Sequence, residues 1–383
     1  MTNLRTQPEQ PWATSYLAAL ASPAQALAFL PQPRTFRSQT VRQAVRLRRG
    51  GSRVQLVLSN EFGTGPLVID QITLTNARTG DTAPALHGGD ARWGIPNGKT
   101  ATSDPAALPA RSGDELIIDC FAAGRTPPTS YLHSAQRTAQ AAPGNQLGQP
   151  QLTGTERFTS LYWISRILTD EPAIGPVIIA FGDSITRGDG TSTDKDQRYP
   201  DHLQRRLLAG GLGNAAVLNA GHGGNRLLRP VAGSAMTDRY ARDVLAVTEA
   251  THVIIGGGTN DIGLPLIFGE PRPTPDEITG GLLALARRAH ERGIQPVLAT
   301  IPPILASRYE FFLADGNEDT RRAVNDAITS QHDWPVADFS AALAASGDPA
   351  RLNPAYDSGD GIHPADSGAQ ALAEAINLAL FTQ

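Results

Sequence analysis

Ser184 is the residue of this chain with the clearest capacity for chemistry. It follows the apolar run Val177-Ile178-Ile179-Ala180-Phe181 and stands in the turn Gly182-Asp183-Ser184-Ile185-Thr186. A buried strand that stops at glycine and presents a hydroxyl holds a nucleophile rigidly at a sheet edge. A serine hydroxyl is too weakly acidic to attack an ester unless a hydrogen-bonded imidazole takes its proton. Near the far end, Asp360-Gly361-Ile362-His363-Pro364 sets an acid and an imidazole three residues apart. His363 is the candidate base, and Asp360 the acid that fixes its tautomer and stabilises the imidazolium. The tetrahedral oxyanion then needs donors already aimed at it, each worth about 3–4 kcal/mol. The candidates are the backbone N–H of Ser184, the backbone N–H of Gly224 and the side-chain amide of Asn260. Glycine at 224 removes the Cβ that would block close approach. Asn260 is a neutral donor.

Such residues need a scaffold that delivers them to one edge. Buried-strand candidates begin near Val177, Ala215, His252, Pro296 and Pro335, a rhythm that fits strand–helix–strand units. Between the third and fourth, Thr274 reads as an N-cap, Pro275 as the first helical residue and Glu277 as the partner in a capping box. Ile278, Leu282, Leu285, Ala286 and Ala289 share one face, and Gly293 closes the helix. Leu372, Ile376, Ala379 and Leu380 mark the stripe of a last helix. Together these predict a doubly wound, five-stranded parallel sheet, in which ligands bind beyond the C-terminal strand ends. The first strand there delivers Ser184, the second Gly221 to Asn225, and the third Gly256 to Asp261. The loop after the fifth delivers Asp360 and His363.

Residues 35 to 170 have a different texture. Short alternating segments at Thr40–Leu47, Val54–Leu58, Leu67–Leu74, Glu115–Cys120 and Ser160–Ile167 predict an antiparallel β-sandwich or jelly roll. Gly50-Gly51 reads as a hairpin turn between the first two, and Ala135 to Gly154 as a long surface loop. The stretch 168–176 reads as a linker. The expected organisation is a β domain over residues 1–172 and an α/β catalytic domain over 173–383.

Gly182-Asp183-Ser184-Ile185, Gly224, Gly258-Thr259-Asn260-Asp261 and Asp360-Gly361-Ile362-His363-Pro364 resemble, in order, the four sequence blocks of the SGNH (GDSL-type) hydrolases. The resemblance covers roughly residues 175 to 383, with Ile185 where the family name has leucine. It implies a flavodoxin-like fold and esterase, lipase or deacetylase activity without cofactor or metal. It puts Ser184, Asp360 and His363 in the triad and Gly224 and Asn260 among the oxyanion donors. A β domain ahead of such a catalytic domain is similar to the layout of some carbohydrate esterases. The expected activity is hydrolysis of small acyl esters, acetyl first, with a sugar or simple alcohol as the other half. The alternatives are a carbohydrate-binding protein with a vestigial hydrolase domain and an acyltransferase using the same triad.

Composition bounds these readings. The formal net charge of −4 over 383 residues leaves no basic footprint for nucleic acid. The single cysteine, Cys120, excludes an intrachain disulfide and reads as a small core residue. No apolar stretch is long enough to span a membrane. The segment Ala13 to Leu30 makes a poor signal peptide, which leaves the compartment open, as the sequence leaves the oligomeric state. Asp189, Asp194 and Asp196 form an acidic stretch that fits no calcium-loop spacing and reads as a solvated loop at the mouth of the site. Asn225 reads as a turn residue or a group that orients the second loop, and His222 as a polar loop residue near the crevice.

Overall fold

The computed structural model describes residues 12–28 and 30–382. Residues 1–11, which the expected β domain includes, lie outside the described residues. From Val177 onward, five strands form one parallel sheet in the spatial order Ala216–Gly221, Val177–Gly182, His252–Gly256, Gln295–Ala299, Val336–Ala337. The strands lie close to the positions expected from the apolar runs. Every residue of Val177–Gly182 is buried, as a strand covered on both faces requires. Val177, Ile179 and Phe181 face a core shared with Tyr240, Ile278, Leu282 and Val324. Ile178 and Ala180 face the opposite core, with Tyr199, Leu203, Leu372 and Ala373. Helices therefore cover both sides, and the chain is a doubly wound α/β fold where the sequence predicted one.

Register places three glycines side by side. Gly182 pairs with Gly221 on one side and with Gly256 on the other. A Cβ on Gly182 would collide with Gly256 O and Thr186 Oγ1. The second strand continues on one side of the first and the third returns on the other, so this row lies at the switch in winding, where a crevice opens.

The helix Pro275–His290 has the predicted cap: Thr274 Oγ1 accepts from Glu277 N at 3.2 Å and Thr274 N donates to Glu277 Oε2 at 2.7 Å. The last helix differs from expectation. It runs Asp366–Glu374 and stops, and Ala379 and Leu380 lie in a separate 3-10 turn, Leu378–Phe381, capped by Asn377. An Asn that accepts from Ala379 N offers the backbone an alternative to continuing the helix.

Ahead of this sheet, antiparallel strands form a six-stranded sheet (Glu156–Phe158, Ala139–Pro143, Phe36–Arg46, Glu115–Thr126, Gln71–Asn76, Thr82–Pro84) and a four-stranded one (Ala13–Leu17, Ile164–Thr169, Val54–Ser59, Thr100–Thr102). Val41, Val45 and Ile118 from the first and Leu56, Leu58 and Ile167 from the second share one core with Trp93, Trp163 and Cys120. Two expectations change. Phe36–Arg46 and Val54–Ser59 belong to different sheets, so Gly50-Gly51 is a crossover between layers, not a hairpin turn. Gly50 and Gly51 instead pack against Ala110 and Asp170. The stretch read as a long loop contains the strand Ala139–Pro143, paired with Phe36–Arg46 and Glu156–Phe158. Its alanines bury little area per residue, which kept its alternation below notice.

The two sets of strands are clasped by ion pairs. Arg48 reaches the buried Asp201, which Arg198 Nε also holds at 2.6 Å. Arg46 Nε meets Asp196 Oδ2 at 2.9 Å, and Arg137 joins the same carboxylate. Thr138 donates to Asp194 through N (2.7 Å) and Oγ1 (2.6 Å). Asp196 is thus a fastening, while Ser192 to Lys195, Asp194 included, remain an exposed loop as expected. Asp194 (φ 64°) and Asp196 (φ 51°) adopt left-handed backbone to make these contacts. Among the described residues no group of three metal-ligating side chains occurs, and no helix is long and apolar enough to cross a membrane.

Candidate active site

The strand Val177–Gly182 leads into the single helical turn Ser184–Arg187. Asp183 caps it, its Oδ1 accepting from Ile185 N at 3.0 Å. Burial pushes the Asp183 carboxyl up to about 6, although the Ile185 amide and His363 pull the other way. Ser184 occupies the first position of the turn and is 7% exposed. Its Oγ donates to His363 Nε2 at 2.8 Å, and His363 Nδ1 donates to Asp360 Oδ2 at 2.6 Å. The three residues expected to converge from opposite ends of the catalytic part do converge.

Asp360 is itself held. Its Oδ1 accepts from Ile362 N at 3.0 Å and from His363 N at 2.8 Å, and Tyr309 Oη stands 3.4 Å from Oδ2. Burial opposes ionisation, but the His363 hydrogen bond and charge hold the carboxyl far below the usual carboxylate range. For His363 burial favours the neutral ring, yet the Asp360 hydrogen bond and the carboxylates of Asp189, Asp360 and Asp183 outweigh it and raise its pKa above the ordinary histidine value.

The three expected oxyanion donors come from three adjacent strand ends. Among the described residues the amides of Ser184 and Gly224 donate no hydrogen bond. Gly224 adopts φ 69°, a conformation that glycine reaches without strain. Asn260 lies in the helical turn Thr259–Gly263, which opens from Gly258 at φ 107°. Its Nδ2 donates one hydrogen to Asn225 O at 3.0 Å, which aims the amide and leaves the second hydrogen for a ligand. Asn260→Ala is expected to lower kcat for p-nitrophenyl acetate by about 10²- to 10³-fold with KM little changed, the loss of one transition-state donor. Steady-state kinetics on the purified variant check it.

Several further side chains frame the site. Asp261 accepts from Leu227 N (2.6 Å) and Leu228 N (3.0 Å), tying the third strand's loop to the second's. Burial pushes its carboxyl up to about 6. Arg239, wholly buried, donates to Gly182 O (2.7 Å), Ala220 O (2.9 Å) and Asn225 Oδ1 (2.7 Å), with Asp243 Oδ2 at 2.9 Å balancing its charge. It closes the carbonyl ends of two strands. Asn225 also donates to Ser234 O at 2.7 Å, so it orients the second loop. His222 is buried, with ring nitrogens toward Ala19 O and Ala232 O, and does not face the crevice as a free polar group. Hydrophobic periodicity identifies none of these, because their partners are distant in the chain.

A family model described as the GDSL-like Lipase/Acylhydrolase family matches residues 180–371, half of the chain, and spans all five site residues. The chain belongs to the GDSL-like lipase/acylhydrolase family. As such it is an enzyme, a hydrolase of the SGNH type, and the antiparallel sheets precede the family's part of the chain. An uncharacterized lipoprotein of Bacillus subtilis (strain 168), YqeF, is 33% identical over 131 residues, 33% of this chain. The chain spans about half (49%) of the length of that curated relative. Among solved structures, this acylhydrolase is similar to an acetyl xylan esterase, AlAXEase (19% identity, TM-score 0.41, 52% of this chain and 96% of that one). It is also similar to the aryl esterase of M. smegmatis (20%, TM-score 0.42, 52% and 95%). A third is Est24, a carbohydrate acetylesterase from Sinorhizobium meliloti (18%, TM-score 0.41, 52% and 95%).

Proposed function

We propose that this acylhydrolase is a serine esterase in which Ser184, His363 and Asp360 act as a triad. The observation that carries the reading is the unbroken hydrogen-bonded chain from Ser184 Oγ through His363 to Asp360 Oδ2. Ser184 Oγ attacks the ester carbonyl while His363 Nε2 takes its proton, and Asp360 stabilises the imidazolium. The Ser184 and Gly224 amides and the Asn260 side chain receive the oxyanion. His363 returns the proton to the departing alcohol. Water, deprotonated by His363, then releases the acid from the acyl-enzyme. No cofactor is needed. The division into a β domain over 1–172 and a catalytic domain over 173–383 is part of the same proposal.

The resemblance of the four blocks supports small acyl groups, acetyl first, on a sugar or simple alcohol. A second reading rests on exposed apolar side chains near the site. Leu266, Ile267 and Phe268 follow the Asn260 turn, Tyr309 reaches Asp360, and Leu313 ends the short turn that follows Tyr309; all are 39–44% exposed. They would suit longer acyl chains.

A fluorophosphonate probe followed by peptide mapping tests the nucleophile: the adduct is expected on Ser184, and an adduct elsewhere overturns the assignment. A series of p-nitrophenyl esters beside acetylated sugars and xylan tests the acyl group. A kcat/KM that falls from acetate to octanoate supports the small-acyl reading. One that climbs to octanoate replaces it with the second.

A further inference from the structure

The nucleophile's turn is fastened from outside its own sheet. Arg187, the last residue of that turn, is buried, and its guanidinium has three neighbours. Nε donates to Asp189 Oδ1 at 2.7 Å and Nη2 to Asp189 Oδ2. Nη1 donates to His133 Nε2. Gly223 lies against its face: a Cβ there would overlap the guanidinium. Arg187 is therefore the floor under the turn that presents Gly224 and the grip on Asp189, one of the carboxylates acting on His363.

His133 belongs to the antiparallel part of the chain. It is 2% exposed, and Ser160 Oγ holds its carbonyl at 2.8 Å. Its ring meets that of His222, on the second-strand loop, edge to face at 5.2 Å. Burial, then the charge of Arg187, hold the His133 ring far below the ordinary histidine range. It stays neutral, with the Nε2 lone pair open to Arg187. Gln136, three residues on, accepts from Asp194 N at 3.1 Å through its carbonyl, and its side chain helps to hold the Asp189 carboxyl below its ordinary pKa. The same short segment thus meets Arg187 directly and the loop beyond Asp189. The buried cation is divided between an aspartate and a neutral acceptor, and loss of the acceptor leaves it free to tilt toward Asp189 alone.

We propose that the β part of the chain completes the active site, and that His133 is the positioning residue through which it acts, by holding Arg187 under the Gly223-Gly224 turn. This rests on the reading of Ser184 as nucleophile and Gly224 as an oxyanion donor. His133 touches no reacting atom; its effect is on where Arg187, and so the Gly224 amide, stands. A displacement of about 1 Å at such a donor is enough for a loss of about 100-fold.

The test uses the length of the side chain. A glutamine amide reaches as far as His Nε2 and can accept from Arg187, whereas an asparagine amide reaches only as far as Nδ1. His133→Gln and His133→Asn are prepared in the full chain, with Ser184→Ala and Thr138→Val beside them. Thr138→Val removes a contact to Asp194 in the same junction without touching Arg187. With p-nitrophenyl acetate, His133→Gln is expected to keep kcat within about threefold of wild type, while His133→Asn loses about 10- to 100-fold in kcat at nearly unchanged KM. Thr138→Val is expected to match wild type. Equal kcat for the two amides, or an equal loss in Thr138→Val, overturns the proposal. If His133→Asn does not fold, Arg187→Lys takes its place, because a single ammonium keeps the charge but cannot span His133 and Asp189 as a guanidinium does. The same loss in kcat is expected, and wild-type turnover would overturn the proposal. Wild-type turnover in Ser184→Ala would remove the nucleophile and this inference together. An inactive Ser184→Ala beside a fully active His133→Asn would remove this inference alone.

Discussion

Ser184→Ala is expected to lower kcat for p-nitrophenyl acetate by about 10⁴- to 10⁶-fold, on the order of 5–8 kcal/mol of transition-state stabilisation. The substitution removes the atom that forms the acyl-enzyme and leaves His363 without its acceptor role. It does little else. Ser184 is the first residue of a helical turn whose cap is Asp183, and the Asp183–Ile185 bond at 3.0 Å does not involve its hydroxyl. Alanine is the best helix former and introduces no strain there. The residual rate reflects the oxyanion donors and binding alone. Initial rates and a thermal unfolding curve on the same preparation separate lost chemistry from lost structure. A Ser184→Ala variant that turns over within about tenfold of wild type would end the esterase mechanism proposed for this site.

Asp360→Asn is expected to cost about 10⁴-fold in kcat through a proton on the wrong nitrogen. Oδ1 of Asp360 accepts two backbone amides, Ile362 N at 3.0 Å and His363 N at 2.8 Å, so it must remain an oxygen. In the variant the amide NH₂ therefore turns toward His363 Nδ1. Nδ1 becomes an acceptor, Nε2 carries the hydrogen, and Ser184 loses its base. The pH dependence shifts as well. In the wild type, protonation of His363 abolishes its role as base, and its pKa is raised despite burial by the Asp360 bond and neighbouring carboxylates. Activity should fall as pH drops through a value above the ordinary histidine pKa of about 6.5. With Asp360 neutralised, that limb should move to lower pH. A kcat/KM profile of both proteins checks the sign; an unmoved acid limb would mean that Asp360 does not set the charge on His363.

The candidate site was legible because its residues sit at strand ends with local signals. An unbroken apolar run stopping at Gly182, glycines at 224 and 258 with φ 69° and 107°, and an acid three residues before an imidazole all survive as short patterns. The helix Pro275–His290 was legible for the same reason, its start being written in Thr274, Pro275 and Glu277. What escaped depends on partners far along the chain. Gly50-Gly51 has the composition of a hairpin turn, yet the sheet that each flanking strand joins is decided by long-range pairing, Phe36–Arg46 with Glu115–Thr126 and Val54–Ser59 with Ile164–Thr169. Asp196 looks solvated until Arg46 and Arg137 from the β part are brought to it. Arg187, Arg239 and His133 frame the site by bridging distant elements: His133 meets Arg187 from 54 residues away, and Arg239 meets Gly182 from 57.

The edge strand Ala13–Leu17 pairs with Ile164–Thr169, with Ala13 opposite Thr169. Leu17, at its end, is buried in the core beneath the parallel sheet. During synthesis, then, the opening strand has no partner until nearly the whole antiparallel part has left the ribosome, and Leu17 stays wet until the strands beyond it are made. Closure at such separation is slow, and an early strand waiting that long is open to wrong pairings with other chains. The pairing that seals the four-stranded sheet also brings Leu17 to the core of the parallel sheet, so the seam between the two sets of strands closes late in assembly.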